Sequence, residues 1–295
     1  MDIRAILLGV TFALMWSSAF SSARIIVAAA PPLTTLSIRF FIAGLLGVMI
    51  AKFLGQTFRL TKGQRKSTII FGIFQNALYL GLNFVAMQTV EASLASIIAS
   101  SMPLMVAFAG WAVFRERLSF MAAIGLFLGV VGVGLIMGLR VTGGADGFGI
   151  LLCVIGAMAL AVATLAVRGA SGSGNLMMVV GLQMIVGAVF LGIAGVLTEE
   201  FIVDWSWIFV FAFTYTTLIP GLAATFIWFL LVNRIGTVKA ATFHFLNPFF
   251  GVLLAALILG EAMSLFDFAG VVVITIGILA VQLSKQIDRE MDEKV

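Results

Sequence analysis

Apolar runs of about 20 residues recur along the whole chain, and short polar or charged breaks separate them. A helix of this length is long enough to cross the hydrocarbon core of a bilayer. We predict ten spans, at residues 5–27, 33–53, 67–87, 92–113, 119–139, 148–168, 175–197, 206–231, 237–259 and 264–284. The breaks are too short to fold by themselves, so the pattern predicts an all-α polytopic membrane protein.

A segment of the first half recurs in the second half, displaced by 145 residues. Five positions keep this distance: Pro103, Glu116, Ser119, Gly125 and Gly132 correspond to Pro248, Glu261, Ser264, Gly270 and Gly277. Self-similarity at half the chain length indicates an internal duplication. We therefore predict two five-helix repeats, at residues 1–142 and 143–284, followed by a cytoplasmic tail at 285–295.

Charged residues make up only 10% of the chain, whereas a soluble domain carries about 25%. Most of the basic residues lie in loops that share one predicted side of the membrane. The loop between spans two and three holds Lys52, Arg59, Lys62, Arg65 and Lys66, and the next loop on that side holds Arg115 and Arg117. Basic loops stay in the cytoplasm, so both termini are predicted to be cytoplasmic. The net charge of +4 comes from these loops and does not indicate a nucleic-acid partner.

Each predicted repeat contains five spans, so matching helices of the two repeats must cross the membrane in opposite directions. The loop charges agree with this inversion, because the basic segment 62–66 corresponds to an acidic segment with Glu199, Glu200 and Asp204. Inverted-topology repeats are typical of secondary transporters, whose substrate site lies between the repeats near mid-membrane. The alternative is that duplication only produced a larger helical bundle.

Residues suited to catalysis or metal binding are scarce. The chain has one cysteine, Cys153, and one histidine, His244, and the interiors of the predicted spans hold no Asp or Glu. We therefore expect no enzyme activity, no metal and no cofactor. The sequence also has no phosphate-binding Gly-rich loop, so we expect transport to be driven by a gradient.

Polar side chains in the first-half spans suggest a binding surface. Asn76, Tyr79 and Asn83 share one face of span three, where two amides and a phenol could bind a zwitterion. Helix–helix hydrogen bonding is the alternative for these residues. Ser96 and Ser100 share a face of span four, where close packing explains small hydroxyls as well as binding does.

The second half offers a different set of candidates. His244 and Asn247 lie three residues apart before Pro248, and His244 could bind substrate, carry a proton or be satisfied by a neighbour. Tyr215 and Trp228 lie in span eight, where Trp228 could contact an apolar substrate group or only pack.

Two prolines occupy equivalent positions within spans four and nine. Pro103 and Pro248 each remove a backbone donor in what we predict to be the middle of a helix, which suggests a hinge, with a plain kink as the alternative. Arg39 lies about two turns into span two, where it could steer a carboxylate, stabilise the fold or bind a lipid headgroup.

Several of these motifs together resemble the EamA repeat of the drug/metabolite transporter superfamily. The motifs are Ala92-Ser93-Leu94-Ala95-Ser96, Met102-Pro103-Leu104 and Phe114-Arg115-Glu116-Arg117-Leu118-Ser119 in the first half, and Lys239-Ala240-Ala241, Asn247-Pro248 and Leu259-Gly260-Glu261 in the second. Trp16-Ser17-Ser18 and Ile38-Arg39-Phe40 resemble family elements of the first two helices. The chain as a whole is similar to the YddG-type amino-acid exporters of that superfamily.

The resemblance implies ten spans and a central cavity lined by spans one, three, four, six, eight and nine. Trp16 is expected to line that cavity. It has no aromatic counterpart in span six, where Leu160-Ala161 stands, so the two halves of the cavity wall are not equivalent.

The sequence thus predicts a secondary transporter of the cell inner membrane for small metabolites, in particular aromatic or other neutral amino acids, and the family resemblance implies that it exports them. Alternating access is the expected mechanism, and uniport is expected because no carboxylate is available for coupling. The expected partners are a small-molecule substrate and the lipid bilayer, and both a monomer and a homodimer stay open. Two alternative functions also stay open: a proton-coupled exporter of drugs or other metabolites, and a non-transporting membrane scaffold.

Overall fold

The computed structural model describes residues 3–112, 119–142, 146–166, 175–235, 240, 242–262 and 264–292, and every regular element among them is helical. The α-helices are α1 (Ile3–Ala29), α2 (Pro32–Phe53), α3 (Lys62–Phe71), α4 (Leu80–Ala86), α5 (Ala92–Ser100), α6 (Met102–Ala112), α7 (Phe120–Thr142), α8 (Gly147–Ala166), α9 (Leu176–Thr198), α10 (Trp207–Thr216), α11 (Ala224–Ile235), α12 (Asn247–Leu259) and α13 (Leu265–Asp292). The loop residues Arg115, Glu116 and Arg117 lie outside the described residues, as does the start of the predicted second repeat at residue 143.

Seven helical segments among the described residues are long and apolar enough to cross a membrane. Three shorter apolar helices, Phe120–Leu135, Asn247–Leu259 and Leu265–Val281, lie where three further spans are predicted. The all-α polytopic fold is therefore confirmed, and the count of ten spans stays a prediction.

Backbone packing divides the chain into two compact units, and each unit draws helices from both halves of the sequence. The first unit comprises Met1–Ser21, Glu91–Gly147 and Ile227–Val295. The second unit comprises Ser22–Val90 and Phe148–Phe226. The repeats at 1–142 and 143–284, which describe a duplication of sequence, stay a prediction.

In the first unit, α7 packs along α13, its counterpart in the repeat. A Cβ placed on Gly125 would lie 2.7 Å from the carbonyl oxygen of Gly277, and one on Gly132 would lie 3.1 Å from that of Gly270. Gly270 is the counterpart of Gly125 and Gly277 that of Gly132, so the pairing is crossed. Crossed pairing of equivalent positions occurs when two equivalent helices meet antiparallel about a twofold axis. The two counterpart helices therefore run in opposite directions, as inverted repeats require.

The second unit repeats this arrangement with α2 and its counterpart α9. A Cβ on Gly44 would lie 2.8 Å from the carbonyl oxygen of Gly181, and one on Gly195 would lie 2.4 Å from Thr34 Oγ1. Because residue numbers rise along α9 as they fall along α2, this pair is also antiparallel. Glycine permits such close backbone approach between helices in lipid.

Two π-helical turns occupy matching positions in the second unit. The first covers Gly72–Tyr79 between α3 and α4, and the second covers Thr217–Ala223 between α10 and α11. Their first residues, Gly72 and Thr217, differ by the same 145 residues as the sequence repeat. Neither turn was predicted from the sequence, although Pro220 in the second one is a recognisable interruption of α-helical hydrogen bonding.

Two glutamate carboxylates accept hydrogen bonds from backbone N–H groups at the amino ends of helices. Glu199, which follows α9, accepts hydrogen bonds of 2.8 Å from the backbone N–H groups of Leu33 and Thr34 at the start of α2. In the first unit, Glu261 accepts from the backbone N–H groups of Ala92 at 2.8 Å and Ser93 at 3.0 Å, at the start of α5. A negative charge is favourable at the positive end of a helix dipole. Glu199 and Glu261 therefore stabilise the fold as helix caps.

Substitution Gly125→Ala should destabilise the protein by about 1–3 kcal/mol, because the new methyl group would have to displace the backbone of α13. The thermal unfolding temperature in detergent measures this loss. Gly134→Ala on the same helix is the matched control, since nothing lies within 4 Å of its added Cβ. Equal destabilisation of both variants would contradict the close contact.

Glu261→Ala should cost about 0.5–2 kcal/mol, because the first N–H groups of α5 lose their capping carboxylate. The same unfolding measurement applies, with Glu200→Ala as a control at an exposed carboxylate. An unchanged unfolding temperature for Glu261→Ala would show that the cap does not contribute to stability.

Candidate functional site

Four ring systems from both halves of the sequence meet in the first unit. The ring centroid of Phe12 lies 5.7 Å from that of Trp16, 4.8 Å from that of Trp228 and 5.3 Å from that of His244. The Trp228 and His244 rings are 5.1 Å apart in an edge-to-face arrangement. We call these four residues the ring cluster. Phe12 is buried, whereas Trp16, Trp228 and His244 are half-buried.

Neutral polar groups lie beside the ring cluster. The Asn247 side-chain amide Nδ2 lies 2.9 Å from His244 Nδ1, and Ser17 Oγ donates to the backbone carbonyl of Asn247 at 3.3 Å. With the amide in this orientation it donates to Nδ1, so the neutral imidazole carries its proton on Nε2. The cluster therefore combines aromatic faces with uncharged hydrogen-bonding groups.

The two prolines lie at helix starts. α5 ends at Ser100 and α6 begins at Met102, which places Pro103 in the first turn of α6. A 3₁₀ turn over Thr242–Leu246 precedes α12, which has Pro248 in its first turn. The expectation of a mid-helix position is corrected, because proline lacks the N–H that a helix interior needs and fits the first turn without that loss. The hinge role stays a prediction.

Ser96 and Ser100 lie where α5 packs against α12. A Cβ placed on Gly251 would lie 1.8 Å from Ser96 Oγ, so the serine hydroxyl occupies the space above that glycine. Ser100 Oγ donates to the backbone carbonyl of Ser96 at 2.6 Å. Asn247 lies one turn before Gly251 on the same face of α12, close to this contact.

The other predicted site residues lie in the second unit. Asn76 Nδ2 donates to the backbone carbonyl of Gln183 on α9 at 3.0 Å, and Asn83 Nδ2 donates to that of Tyr79 at 2.8 Å. All three span-three residues are buried. Tyr215 is half-buried, and its ring stacks on Phe211 with centroids 6.1 Å apart. These contacts are those of packing, and a substrate role for the four residues stays a prediction.

Comparison with known protein families finds the EamA-like transporter family at residues 3–138 and again at residues 147–283. The chain belongs to this family. It is therefore a multi-pass membrane transporter of the drug/metabolite superfamily, with the two-repeat EamA fold, and the resemblance of its motifs to that family is confirmed.

Similar proteins cover most of the chain. An uncharacterized transporter of Bacillus subtilis, YvbV, is 27% identical and covers 94% of this chain and 91% of its own length. A WAT1-related chloroplast protein of Arabidopsis thaliana is 25% identical over 90% of this chain and 66% of its own length. One solved crystal structure matches with a TM-score of 0.70 and 21% identity, over 97% of this chain and 99% of that one, which shows a shared fold.

Within this EamA fold, the structure brings together four of the residues predicted from sequence: Trp16, Trp228, His244 and Asn247. Sequence reasoning missed Phe12, which contacts three of the rings, and Ser17. The signal for Phe12 was its position four residues before Trp16, on the same face of α1.

The Arg39 side chain of this EamA protein contacts a backbone carbonyl and two aromatic rings in the second unit. Its Nη1 donates to the backbone carbonyl of Thr216 at 3.1 Å, and its guanidinium lies over the rings of Phe40 and Phe84 at 4.6 and 5.6 Å. Pro220 cannot donate the N–H that an α-helix would give to the carbonyl of Thr216. The buried cation thus binds a carbonyl at the entry to a π-helical turn, and this favours the structural alternative.

Proposed function

We propose that this EamA-family transporter is a secondary carrier that exports small metabolites, in particular aromatic or other neutral amino acids, by alternating access. The observation that carries the proposal is the ring cluster with its neighbouring Asn247 amide. Ring faces favour an apolar or aromatic side chain, and uncharged polar groups can pair with the ends of a zwitterion. The cluster draws on both halves of the sequence, as a site between repeats should.

Uniport is the proposed mode of transport. None of the cluster residues carries a carboxylate, and the described carboxylates Glu199, Glu261 and Asp267 form hydrogen bonds at helix ends. Because no carboxylate of the cluster is available to couple protons, substrate moves down its own gradient in this proposal. The breaks before Pro103 and Pro248 are the proposed points of bending in the cycle.

The proposed location is the cell inner membrane with both termini in the cytoplasm. The support is the basic segment around Lys62–Lys66, set against the acidic segment Glu199–Asp204. A monomer and a homodimer are both compatible with the proposal.

A proton-coupled exporter of drugs or other metabolites is the second candidate function. One observation favours it: His244 is the titratable member of the ring cluster, and histidine can carry a proton. Transport that requires a pH difference and is lost in His244→Ala would support this candidate over uniport.

Purified protein in liposomes loaded with phenylalanine should release it without a pH difference. Trp228→Ala should slow release about tenfold or more, which corresponds to roughly 1.4 kcal/mol of lost interaction. Trp111→Ala is the matched control, because Trp111 lies in the same unit, packs on Phe108 outside the ring cluster and is 50% exposed. Release that is equal in the two variants would contradict the site assignment. If no neutral amino acid moves while the protein remains folded, the substrate class is wrong and a scaffold role is favoured.

A further inference from the structure

The contact between α5 and α12 contains buried oxygen atoms that have no hydrogen-bond partner in the protein. They are Ser93 Oγ and Ser96 Oγ on α5 and Asn247 Oδ1 on α12. The three residues are 2%, 0% and 4% exposed, respectively. A buried polar atom without a partner is costly, and each such atom in a native fold calls for an explanation.

Two of these oxygens belong to side chains on the two helices that pack together here. Ser96 Oγ lies against Gly251, and Asn247 lies one turn before Gly251 on the same face of α12. The other end of the Asn247 amide is already used, because Nδ2 pairs with His244 Nδ1. Asn247 Oδ1 therefore remains an acceptor without a partner, on the helix that packs against α5.

The carboxyl end of α5 adds further acceptors at this place. α5 stops at Ser100. Backbone N–H groups at its end donate to the carbonyls of Ile98 and Ala99, and a carbonyl oxygen has a second lone pair for another donor. The last carbonyls of a helix also form the negative end of its dipole. In discontinuous membrane helices, such carboxyl ends bind cations.

We propose that Ser96 Oγ, Asn247 Oδ1 and the terminal carbonyls of α5 form a subsite for the ammonium group of an amino-acid substrate. An ammonium group donates three hydrogen bonds and accepts none, so it can donate to Asn247 Oδ1, to a terminal carbonyl of α5 and to a lone pair of Ser96 Oγ, whose own O–H rotates away from it. The subsite adjoins the ring cluster through the Asn247–His244 pair, so an amino acid could place its ammonium here and its side chain against the rings.

This inference rests on the proposed function, because it assigns one end of the proposed substrate. Both oxygens are buried, so the ligand must enter as α5 and α12 separate during the cycle. Ser93 lies one turn from Ser96 toward Glu261 and is not part of the subsite.

Binding of phenylalanine and of 3-phenylpropionate, which lacks the ammonium group, tests the assignment. Wild-type protein should bind phenylalanine at least about tenfold more tightly, measured by calorimetry on the full chain in detergent. In Ser96→Ala this preference should fall about tenfold through weaker phenylalanine binding, with 3-phenylpropionate unchanged. Asn247→Asp keeps the oxygen and adds charge, so it should increase the preference.

Ser284→Ala is the matched control, since this buried serine lies in the first unit and its Oγ donates to the backbone carbonyl of Val281 at 2.9 Å. It should bind both ligands as the wild type does. Equal binding of both ligands by wild type, or an unchanged preference in Ser96→Ala, would overturn the subsite while leaving the proposed function intact. Thermal stabilisation of the wild type by sodium over choline, lost in Ser96→Ala, would overturn the ammonium assignment in favour of a bound metal cation. If wild type binds neither compound, the proposed function and the subsite fail together.

Discussion

The antiparallel contact between counterpart helices of the two repeats is the constraint on which the rest of the fold depends. Lipid tails are as apolar as the helix surfaces, so helices associate through close packing rather than through the hydrophobic effect. Gly125 against Gly277 in the first unit, and Gly44 against Gly181 in the second, permit backbone contact. Glu199 and Glu261 then satisfy the amino ends of neighbouring helices. These residues and the other positions that the two repeats share, which we call the frame, contribute no group to the proposed substrate site.

Interruptions of the helices decide where polar groups can lie. Each break frees backbone groups that a continuous helix would satisfy itself, and neighbouring side chains take up the freed groups. In the second unit, Arg39 binds the carbonyl of Thr216 beside the π-helical turn that contains Pro220. In the first unit, the break before Asn247 adjoins His244 of the ring cluster, and the break before Met102 ends α5, the helix that carries the buried Ser96 Oγ. The interruptions thus leave polar backbone groups available inside a bundle whose side chains are mostly apolar.

The proposed site of this EamA-family protein lies where the two repeats differ. Trp228, His244 and Asn247 correspond to Asn83, Ala99 and Met102 in the first repeat, and none of these pairs is similar. The frame positions, in contrast, match at Pro103, Gly125, Gly132 and their counterparts. An amino acid is chiral and has chemically different ends, so a twofold-symmetric site could not distinguish those ends. Divergence at the proposed site, with retention of the repeated Pro and Gly positions, fits recognition of the proposed amino-acid substrate.

The sequence by itself determined the membrane fold, the duplication and the family, because each depends on patterns along the chain: apolar length, a repeat distance and local motifs. It also identified Trp16, Trp228, His244 and Asn247 as candidates. Only the tertiary structure decided which candidates meet. Asn76 and Asn83 share a face with Tyr79, as the helical period predicts, yet that face packs against neighbouring helices in the second unit. Helical period determines which side chains share a face, whereas packing across helices determines what that face contacts, and that information is not local in the chain.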